Sequence, residues 1–218
     1  MTPDLPAGCV IAVLGAGGTG KTELAGALAA RLACRGLAAT LVPDLRAQWR
    51  LREGREPDAA ALRALAREQA RCIASAATHG IVVADTTTLL PAIECEHRFG
   101  DASLHENAIA AHRACAITLL MGLDLPCDRD EAARERTDTA LRSALGRAGE
   151  TYAVIHGRGA ERLANAWNAI HARAEAAGTA PRDGDAAADR RTWFWPCDKC
   201  SDPVCEHRLF THLVAARR

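Results

Sequence analysis

The architecture of this chain follows from residues 15–22, which read Gly-Ala-Gly-Gly-Thr-Gly-Lys-Thr. They match G-x-x-x-x-G-K-[ST], the phosphate-binding P-loop, and lie between an apolar run at 9–14 and an Ala/Leu-rich segment at 22–34. Such glycines let successive backbone N–H groups point inward as an anion-binding nest, and the following helix adds its positive dipole end. A glycine-rich turn that only joins a strand to a helix does not account for the full pattern. The stretch therefore indicates a nucleotide-binding protein.

The P-loop pattern assigns roles toward a bound nucleotide. We expect the Lys21 ammonium to contact the β- and γ-phosphates and the Thr22 hydroxyl to bind Mg²⁺. Only two of the 27 basic residues are Lys, so Lys21 fits a site where a forked guanidinium would not replace an ammonium. The predicted nucleotide-binding residues of the loop are Gly15, Gly17, Gly18, Thr19, Gly20, Lys21 and Thr22.

Length and composition narrow the class of protein. A chain of 218 residues suits one α/β domain with a small appendage. Its formal net charge of zero gives no indication of a nucleic-acid or anionic-membrane partner. No apolar run approaches the roughly 18–20 residues that span a bilayer, and residues 1–4 lack the basic start of a secretory signal. We therefore expect a cytoplasmic protein, in which the nine Cys are free thiols or metal ligands.

Apolar, strand-like runs alternate with helical patterns along the chain. We predict strands at 8–14, 38–42, 81–85, 115–121 and 152–156, and helices at 21–35, 58–78, 103–113, 128–148 and 160–177. These alternations predict an α/β fold of the P-loop NTPase type: a five-stranded parallel sheet in the order 2-3-1-4-5 with helices on both faces. A capping box, Ser103-x-x-Glu106, is expected at the third helix, and residues 50–57 and 94–97 are predicted as exposed loops. The predicted organisation is a P-loop domain at 1–177, a polar linker at 178–192 and a Cys/His-rich element at 193–218.

The apolar run at 81–84 ends in Asp85, which is typical of a buried parallel strand followed by an acid. Such a run also occurs by chance, but here it follows a complete P-loop. In P-loop NTPases the corresponding carboxylate, the Walker B Asp, holds Mg²⁺, often through water. We therefore predict that Thr22 and Asp85 form the Mg²⁺ site.

Further short segments resemble one family. Besides the P-loop they are Val42-Pro43-Asp44 with Arg46, Asp85-Thr86, Asp124-Leu125-Pro126, Asp130 to Arg136, and Ile155-His156-Gly157 with Arg162. Over about residues 8–175 the chain is similar to the P-loop kinase domain of the bifunctional nicotinamide-riboside kinase/adenylyltransferase regulators, and to related small AAA-type ATPases. It carries no His-x-Gly-His nucleotidyl-transfer motif. The family often has Asp-Thr-Asp where this chain has Asp85-Thr86-Thr87, a departure that favours another small hydroxyl acceptor or an ATPase without kinase activity.

The resemblance implies an acceptor side at the end of the second strand. Asp44 is implied to orient or deprotonate the acceptor hydroxyl, and a helix N-cap is its structural alternative. Arg46 and Trp49 are implied substrate contacts. Trp49 would stack on a flat base, while a core or loop-anchoring role is equally open for it.

The resemblance also implies residues on the ATP side. Arg129, Arg134 and Arg136 lie in the segment that would form a lid, from which Arg134 or Arg136 would reach the γ-phosphate. A run of charges also forms solvated helix faces, which is the alternative. Gly157 and Arg158, in the turn Gly157-Arg158-Gly159, resemble the adenine-side turn of such kinases.

The C-terminal stretch differs in composition from the rest. Cys197-x2-Cys200 and Cys205-x-His207 supply three thiolates and an imidazole, the ligands of a closed, structural Zn²⁺ site. His212 is an alternative fourth ligand, and reduced surface cysteines or a redox pair are the alternatives to zinc. The preceding Trp193-Phe194-Trp195 suggests a patch that docks on the domain itself or on a protein partner.

Together these residues predict an ATP- and Mg²⁺-dependent small-molecule kinase that phosphorylates a riboside-type hydroxyl, as on nicotinamide riboside. The alternative is a regulatory ATPase, or a nucleotide-gated interaction module whose tail binds a protein partner. The sequence contains no Asn-Lys-x-Asp guanine reader, which favours ATP over GTP.

Overall fold

The structure, a computed structural model, describes residues 2–126 and 130–178. Arg129, nearly all of the predicted linker and the whole predicted zinc element therefore lie outside the described residues. The zinc ligands Cys197, Cys200, Cys205 and His207, and the aromatic docking patch, remain sequence predictions.

The described residues form a parallel sheet with helices on both faces. Its strands are β1 (Val10–Leu14), β2 (Ala39–Val42), β3 (Ile81–Asp85), β4 (Ile117–Met121) and β5 (Ala153–Ile155). The helices are α1 (Lys21–Cys34), α2 (Leu45–Glu53), α3 (Ala59–Ala77), α4 (Leu89–Phe99), α5 (His105–His112), α6 (Glu131–Ala148) and α7 (Gly159–Gly178). All four strand pairs are parallel in the order β2-β3-β1-β4-β5, which confirms the predicted fold.

The central strand β1 is buried along its whole length, because its side chains enter apolar clusters on both faces of the sheet. Ile11 and Val13 pack with the apolar faces of α1 and α7. Leu14 packs with α4, α5 and α6, and Val10 and Ala12 pack in a third cluster beside α3. The P-loop follows β1 directly, so the phosphate-binding residues are fixed to the most buried strand of the sheet.

The prediction of a loop at 50–57 was wrong for its first half. Residues 45–53 form α2, which Asp44 caps at the N-terminus and Gly54 ends in a left-handed conformation (φ 66°). Arg46 is the only buried residue of this helix. None of the apolar side chains of α2 is fully buried, so this helix lacks the apolar core face that usually reveals a helix in a sequence.

The segment 94–97, also predicted as a loop, is the middle of α4. The first turn of α4 contains Pro91, where a missing N–H is tolerated, and its apolar residues Leu89, Leu90, Ala92 and Ile93 are all buried. A helix that begins buried on every side shows no 3.6-residue alternation, which is why its sequence did not indicate a helix.

The predicted capping box at 103–106 is absent. Helix α5 begins one residue before Glu106, its N-cap is Leu104, and no side chain caps it. The Ser103 N–H instead donates to the Asp101 carboxylate over 2.9 Å, so this polar pair forms a turn before the helix.

Across residues 2–126 and 130–178, no helix is both long enough and apolar enough to cross a membrane.

Candidate functional site

The P-loop bends sharply between β1 and α1, and two of its glycines are required by that geometry. Gly15 has a φ of 151°, and a Cβ there would lie 2.8 Å from the Met121 Cβ and 2.9 Å from the Thr19 hydroxyl oxygen. Gly20 is in the left-handed region (φ 77°) and caps the N-terminus of α1. Any residue with a side chain would strain both turns, so the first and last glycines of the motif are dictated by the backbone path.

Two side chains of the loop hold the same backbone carbonyl. The Thr19 hydroxyl and the Lys21 ammonium each donate to the Ala16 carbonyl oxygen over 2.8 Å. Thr19 is fully buried, so its hydroxyl acts within the loop itself. The ammonium is thereby positioned directly over the nest, where the motif predicted the phosphate-binding charge.

The predicted Mg²⁺ residues meet. The Thr22 hydroxyl at the start of α1 donates to Asp85 Oδ2 at the end of β3 over 2.6 Å. Asp85 is 2% exposed, and its Oδ1 has no hydrogen-bond partner among the described residues. Burial raises the pKa of Asp85, and the Thr22 hydroxyl and Lys21 oppose that rise only in part. The Thr22 hydroxyl and the Asp85 carboxylate are the hard oxygen donors that Mg²⁺ prefers, and Asp85 Oδ1 has no other partner among the described residues, so these two residues fit the metal.

The residues that follow Asp85 lead into the interior. Thr86 has a φ of 85°, an unfavourable conformation for a β-branched residue. The Thr87 hydroxyl lies 3.2 Å from His112 Nδ1, and His112 Nε2 lies 3.1 Å from the Thr118 hydroxyl. Thr87, which stands where the resembling family often has an acid, is therefore anchored beneath the site. Burial lowers the pKa of His112 to about 4, so the ring is neutral and holds one donor and one acceptor between two hydroxyls.

Asp44 is the N-cap of α2, as its structural alternative proposed. Its Oδ1 accepts the Arg46 N–H over 2.9 Å and the Ala47 N–H over 3.3 Å, and its Oδ2 accepts the Arg46 guanidinium over 3.1 Å. The carboxylate nevertheless stands at the carboxyl edge of the sheet beside β3, close enough that its charge raises the pKa of Asp85. Capping α2 and facing the metal residues are compatible, because an ionised carboxylate has about four lone-pair positions and three donors use three of them.

Arg46 lies between two carboxylates. One side of its guanidinium contacts Asp44 and the other contacts Glu94 of α4, with only 9% of the Arg46 side chain exposed. Glu94 also accepts from Arg50 over 3.1 Å and from Arg98 over 2.9 Å. Burial would raise the pKa of Glu94, but the arginines around it hold that pKa below its ordinary value. Sequence reasoning missed Glu94 because its spacing of four from Arg98 has meaning only once α4 is known to be a helix.

Trp49 lies on the surface of the same helix. The guanidinium carbons of Arg52 and Arg55 lie 5.4 Å and 5.6 Å from its ring centroid, within reach of cation–π attraction. Its indole N–H is buried and has no acceptor among the described residues.

The structure separates the two predicted lid arginines. Arg134, 7% exposed, donates to the Leu125 carbonyl over 3.0 Å, in the loop that follows β4. A Cβ on Gly20 would lie 3.3 Å from Leu125, so Arg134 is tied to a loop that touches the P-loop. Arg136 is different: 63% of its side chain is exposed, and it lies 3.7 Å from Asp130. Arg134 is thus the better placed of the two, while Arg136 matches the solvated-face alternative.

In the predicted adenine-side turn, the arginine that contacts the turn is Arg162, four positions beyond the predicted Arg158. Gly157 donates its N–H to Asp124 over 2.9 Å, whereas Arg158 is exposed. Arg162, 4% exposed, donates to the Gly157 carbonyl over 2.6 Å, to Asp124 over 2.7 Å and to the Thr19 carbonyl of the P-loop. The sequence signal was present, because Arg162 shares the buried stripe of α7 with Ala166 and Ile170, where a charge requires partners.

Comparison with known families gives the identity of this fold. The model of a family described as the AAA domain matches residues 10–162, which contain the P-loop, Asp85 and Arg162. The chain belongs to the AAA domain family. No curated protein matches this AAA domain. The match confirms the AAA-type resemblance that the sequence motifs suggested.

Solved structures agree on the architecture of this AAA domain. The chain matches the NadR protein, solved in complex with NAD and AMP-PNP, with a TM-score of 0.58 and 16% identity. That match covers 85% of this chain and 52% of NadR, so the AAA domain spans about half of NadR's length. Chloroplast FtsY from Physcomitrella patens matches at 17% identity, over 78% of this chain and 67% of FtsY, with a TM-score of 0.29. The NadR match shows a shared fold, and the FtsY match is too weak to support an argument.

The AAA domain therefore has a P-loop NTPase fold in which a phosphate nest, a cation and a hydroxyl–carboxylate pair meet at one edge of the sheet. P-loop NTPases generally bind ATP and Mg²⁺ and hydrolyse the nucleotide or transfer its phosphoryl group.

Proposed function

We propose that this AAA domain is an ATP- and Mg²⁺-dependent small-molecule kinase that phosphorylates a riboside-type hydroxyl, such as that of nicotinamide riboside. The observation that carries the proposal is the position of Asp44. Its carboxylate stands at the end of β2, beside the strand that ends in Asp85, and is close enough to act on the charge of Asp85. A second carboxylate near the metal-binding carboxylate can orient the nucleophile of phosphoryl transfer, which in this proposal is the acceptor hydroxyl.

The residues of this chain divide the work of phosphoryl transfer. The backbone nest and Lys21 hold the β- and γ-phosphates, and Thr22 with Asp85 would hold Mg²⁺. When bound, that ion would offset the negative charge that develops during transfer. One lone pair of the Asp44 carboxylate is not used by its N–H donors. It accepts a hydrogen bond from the hydroxyl of the riboside and orients the hydroxyl oxygen for in-line attack.

Two other groups complete the proposed site. Arg134, which is already directed toward the loop beside the P-loop, is the cation of the lid segment. Trp49, with its ring flanked by arginines, offers the acceptor a flat surface. The fold likeness to NadR, which was solved with NAD and AMP-PNP, supports a nicotinamide-bearing acceptor and an adenine nucleotide.

The experiment measures ATP consumption with Mg²⁺, alone and with a panel of ribosides that includes nicotinamide riboside, and identifies the product by mass spectrometry. Stimulation by one riboside, with its 5′-phosphate as product, is expected. Asp44→Asn should abolish acceptor phosphorylation and leave slow ATP hydrolysis intact. Asn caps helices as well as Asp does, but Asp44→Asn also removes one of the two countercharges of the buried Arg46. The thermal unfolding midpoint of Asp44→Asn is therefore measured as well, and retained ATP hydrolysis shows that the variant is folded.

A matched control separates the acceptor role from capping in general. Asp58 caps α3 through the Ala61 N–H over 2.8 Å and is exposed, so Asp58→Asn should change neither reaction. If Asp44→Asn phosphorylates the riboside at the wild-type rate, Asp44 has no part in the acceptor site.

One observation favours the second candidate, a regulatory ATPase or nucleotide-gated interaction module. Thr87 carries no charge and bonds His112 in the interior, so the strand that ends in Asp85 offers a single carboxylate. Slow hydrolysis that is indifferent to every riboside in the panel would establish this function and reject the kinase.

A further inference from the structure

We propose that Arg162 is a positioning residue of the phosphate-binding loop: it fixes the peptide between Thr19 and Gly20 so that the Gly20 N–H faces the phosphates. The inference rests on the proposed nucleotide binding. Its starting point is an arginine that is 4% exposed in the last described helix and reaches the P-loop near the start of the chain. The mechanism proposed above assigns no role to this side chain.

The geometry of the peptide bond gives the reason. In a trans peptide the C=O and the following N–H point in opposite directions, and no cis peptide occurs among the described residues. Arg162 holds the Thr19 carbonyl from outside the loop, which directs the Gly20 N–H to the opposite, concave side. An anchored carbonyl on the outside thus preorganises an N–H donor on the inside of the nest.

The other contacts of Arg162 show why an arginine is needed. Its Nε donates to the Gly157 carbonyl over 2.6 Å and its remaining terminal nitrogen donates to Asp124 over 2.7 Å, so three nitrogens reach three different segments. A planar guanidinium provides this fork, and a single ammonium does not. Asp124 supplies the countercharge: burial would raise its pKa, but the Gly157 N–H and Arg162 hold it below the ordinary value.

A residue that only supports the fold would affect unfolding and leave ligand affinity unchanged. A residue that aims an N–H at phosphate would weaken every ligand with a phosphate chain, whatever base it carries. Because hydrogen bonds to charged groups are the strong ones, we expect Arg162→Gln to weaken binding of MgATP about 10- to 100-fold. Loss of a phosphate contact that persists unchanged through the reaction raises KM and leaves kcat nearly unchanged, so the effect of Arg162→Gln should appear in KM.

The test compares wild type, Arg162→Gln, Arg162→Lys, Asp124→Asn and, as a control, Arg173→Gln, an exposed arginine on the same helix. Affinities for ATP and for inorganic tripolyphosphate are measured with Mg²⁺ by displacement of a fluorescent nucleotide, together with the midpoint of thermal unfolding. We expect both arginine variants at 162 to lose affinity for both ligands by similar factors, Asp124→Asn to lose less, and Arg173→Gln to match wild type.

Three outcomes would overturn the inference. Variants at 162 that remain folded and bind both ligands as wild type does would show a purely structural role. Weaker ATP binding with unchanged tripolyphosphate binding would place Arg162 at the base and not at the phosphates. Failure of the wild type to bind ATP would reject the proposed function itself. Should Arg162→Gln not fold, Arg162→Lys and Asp124→Asn carry the same comparison.

Discussion

The Arg46 guanidinium on α2 is paired with the Glu94 carboxylate on α4, and only 9% and 12% of the two side chains are exposed. This pair joins α2, the helix capped by Asp44, to α4, the helix that follows β3. Arg46 also binds Asp44, so the orientation of the proposed acceptor carboxylate depends on Glu94 through one arginine.

Glu94→Ala should strongly destabilise the protein, because it leaves Arg46 buried with one of its two countercharges missing. Removing one partner of a buried pair typically lowers the free energy of unfolding by about 3–5 kcal/mol. Urea unfolding at neutral pH measures the effect. The control is Glu68→Ala, which breaks an exposed pair with Arg71 and should change stability little. Equal effects of the two substitutions would show that the Glu94 network contributes no more than a surface pair.

Asp85→Asn should lower Mg²⁺-dependent activity and raise the thermal stability of the nucleotide-free protein. We expect Mg²⁺-dependent turnover to fall on the order of 100-fold, because a charged ligand of the metal is lost. Thermal unfolding of the nucleotide-free protein should move in the opposite direction, since the raised pKa of Asp85 means that its ionised form is disfavoured in the fold.

The stability gained by Asp85→Asn should depend on pH. A carboxyl with a raised folded pKa destabilises the protein as pH rises from its ordinary value through the folded value. The advantage of Asp85→Asn should therefore be largest near pH 7.5 and shrink toward pH 4. The unfolding midpoints of both proteins across that range test it, and an advantage that grows on acidification would contradict the assigned burial effect.

His112 should make the fold sensitive to acid. Its folded pKa, about 4, lies below the ordinary value of 6.5, so the unfolded chain binds the proton first and stability falls as pH decreases through this window. Between pH 7 and pH 5 the ring should lower the free energy of unfolding by about 2 kcal/mol. In His112→Gln that drop should be smaller by about this amount, and in the exposed-site control His97→Asn it should not change. Identical pH profiles for wild type and His112→Gln would mean that the ring has the same pKa in the folded and the unfolded chain.

The zinc prediction concerns residues outside the described part of the chain and is tested by metal content. Protein purified without chelator should carry one Zn²⁺ per chain by elemental mass spectrometry. The pair Cys197→Ser and Cys200→Ser should remove it, and Cys34→Ser, at an exposed thiol of α1, should not. Wild-type protein without zinc would leave these thiols as free or redox-active cysteines.

The order of the sheet and the meeting of Thr22 with Asp85 at its edge were predictable, because short sequence patterns indicate both. The P-loop pattern and the run ending in Asp85 each occupy a few consecutive residues, and parallel strands place their carboxyl ends together. Thr22 and Asp85 therefore met as expected.

The partners of Arg46, Thr87 and Arg162 were not predictable in this way. Glu94 is 48 residues from Arg46, and His112 is 25 residues from Thr87. Each contact depends on how helices pack above the sheet, which no local pattern specifies. The short polar helix α2 was missed for a related reason: packing stabilises it through one buried arginine, and propensity alone does not reveal it.

The bond between Arg162 and Thr19 spans 143 residues of sequence. During translation the P-loop therefore leaves the ribosome on the order of 10 s before Arg162 at typical elongation rates. Until α7 has been made and has packed, the phosphate loop lacks its contact with Arg162. If Arg162 positions the loop as proposed, the nucleotide affinity of the domain increases when α7 packs, and bound ATP would then stabilise the completed fold.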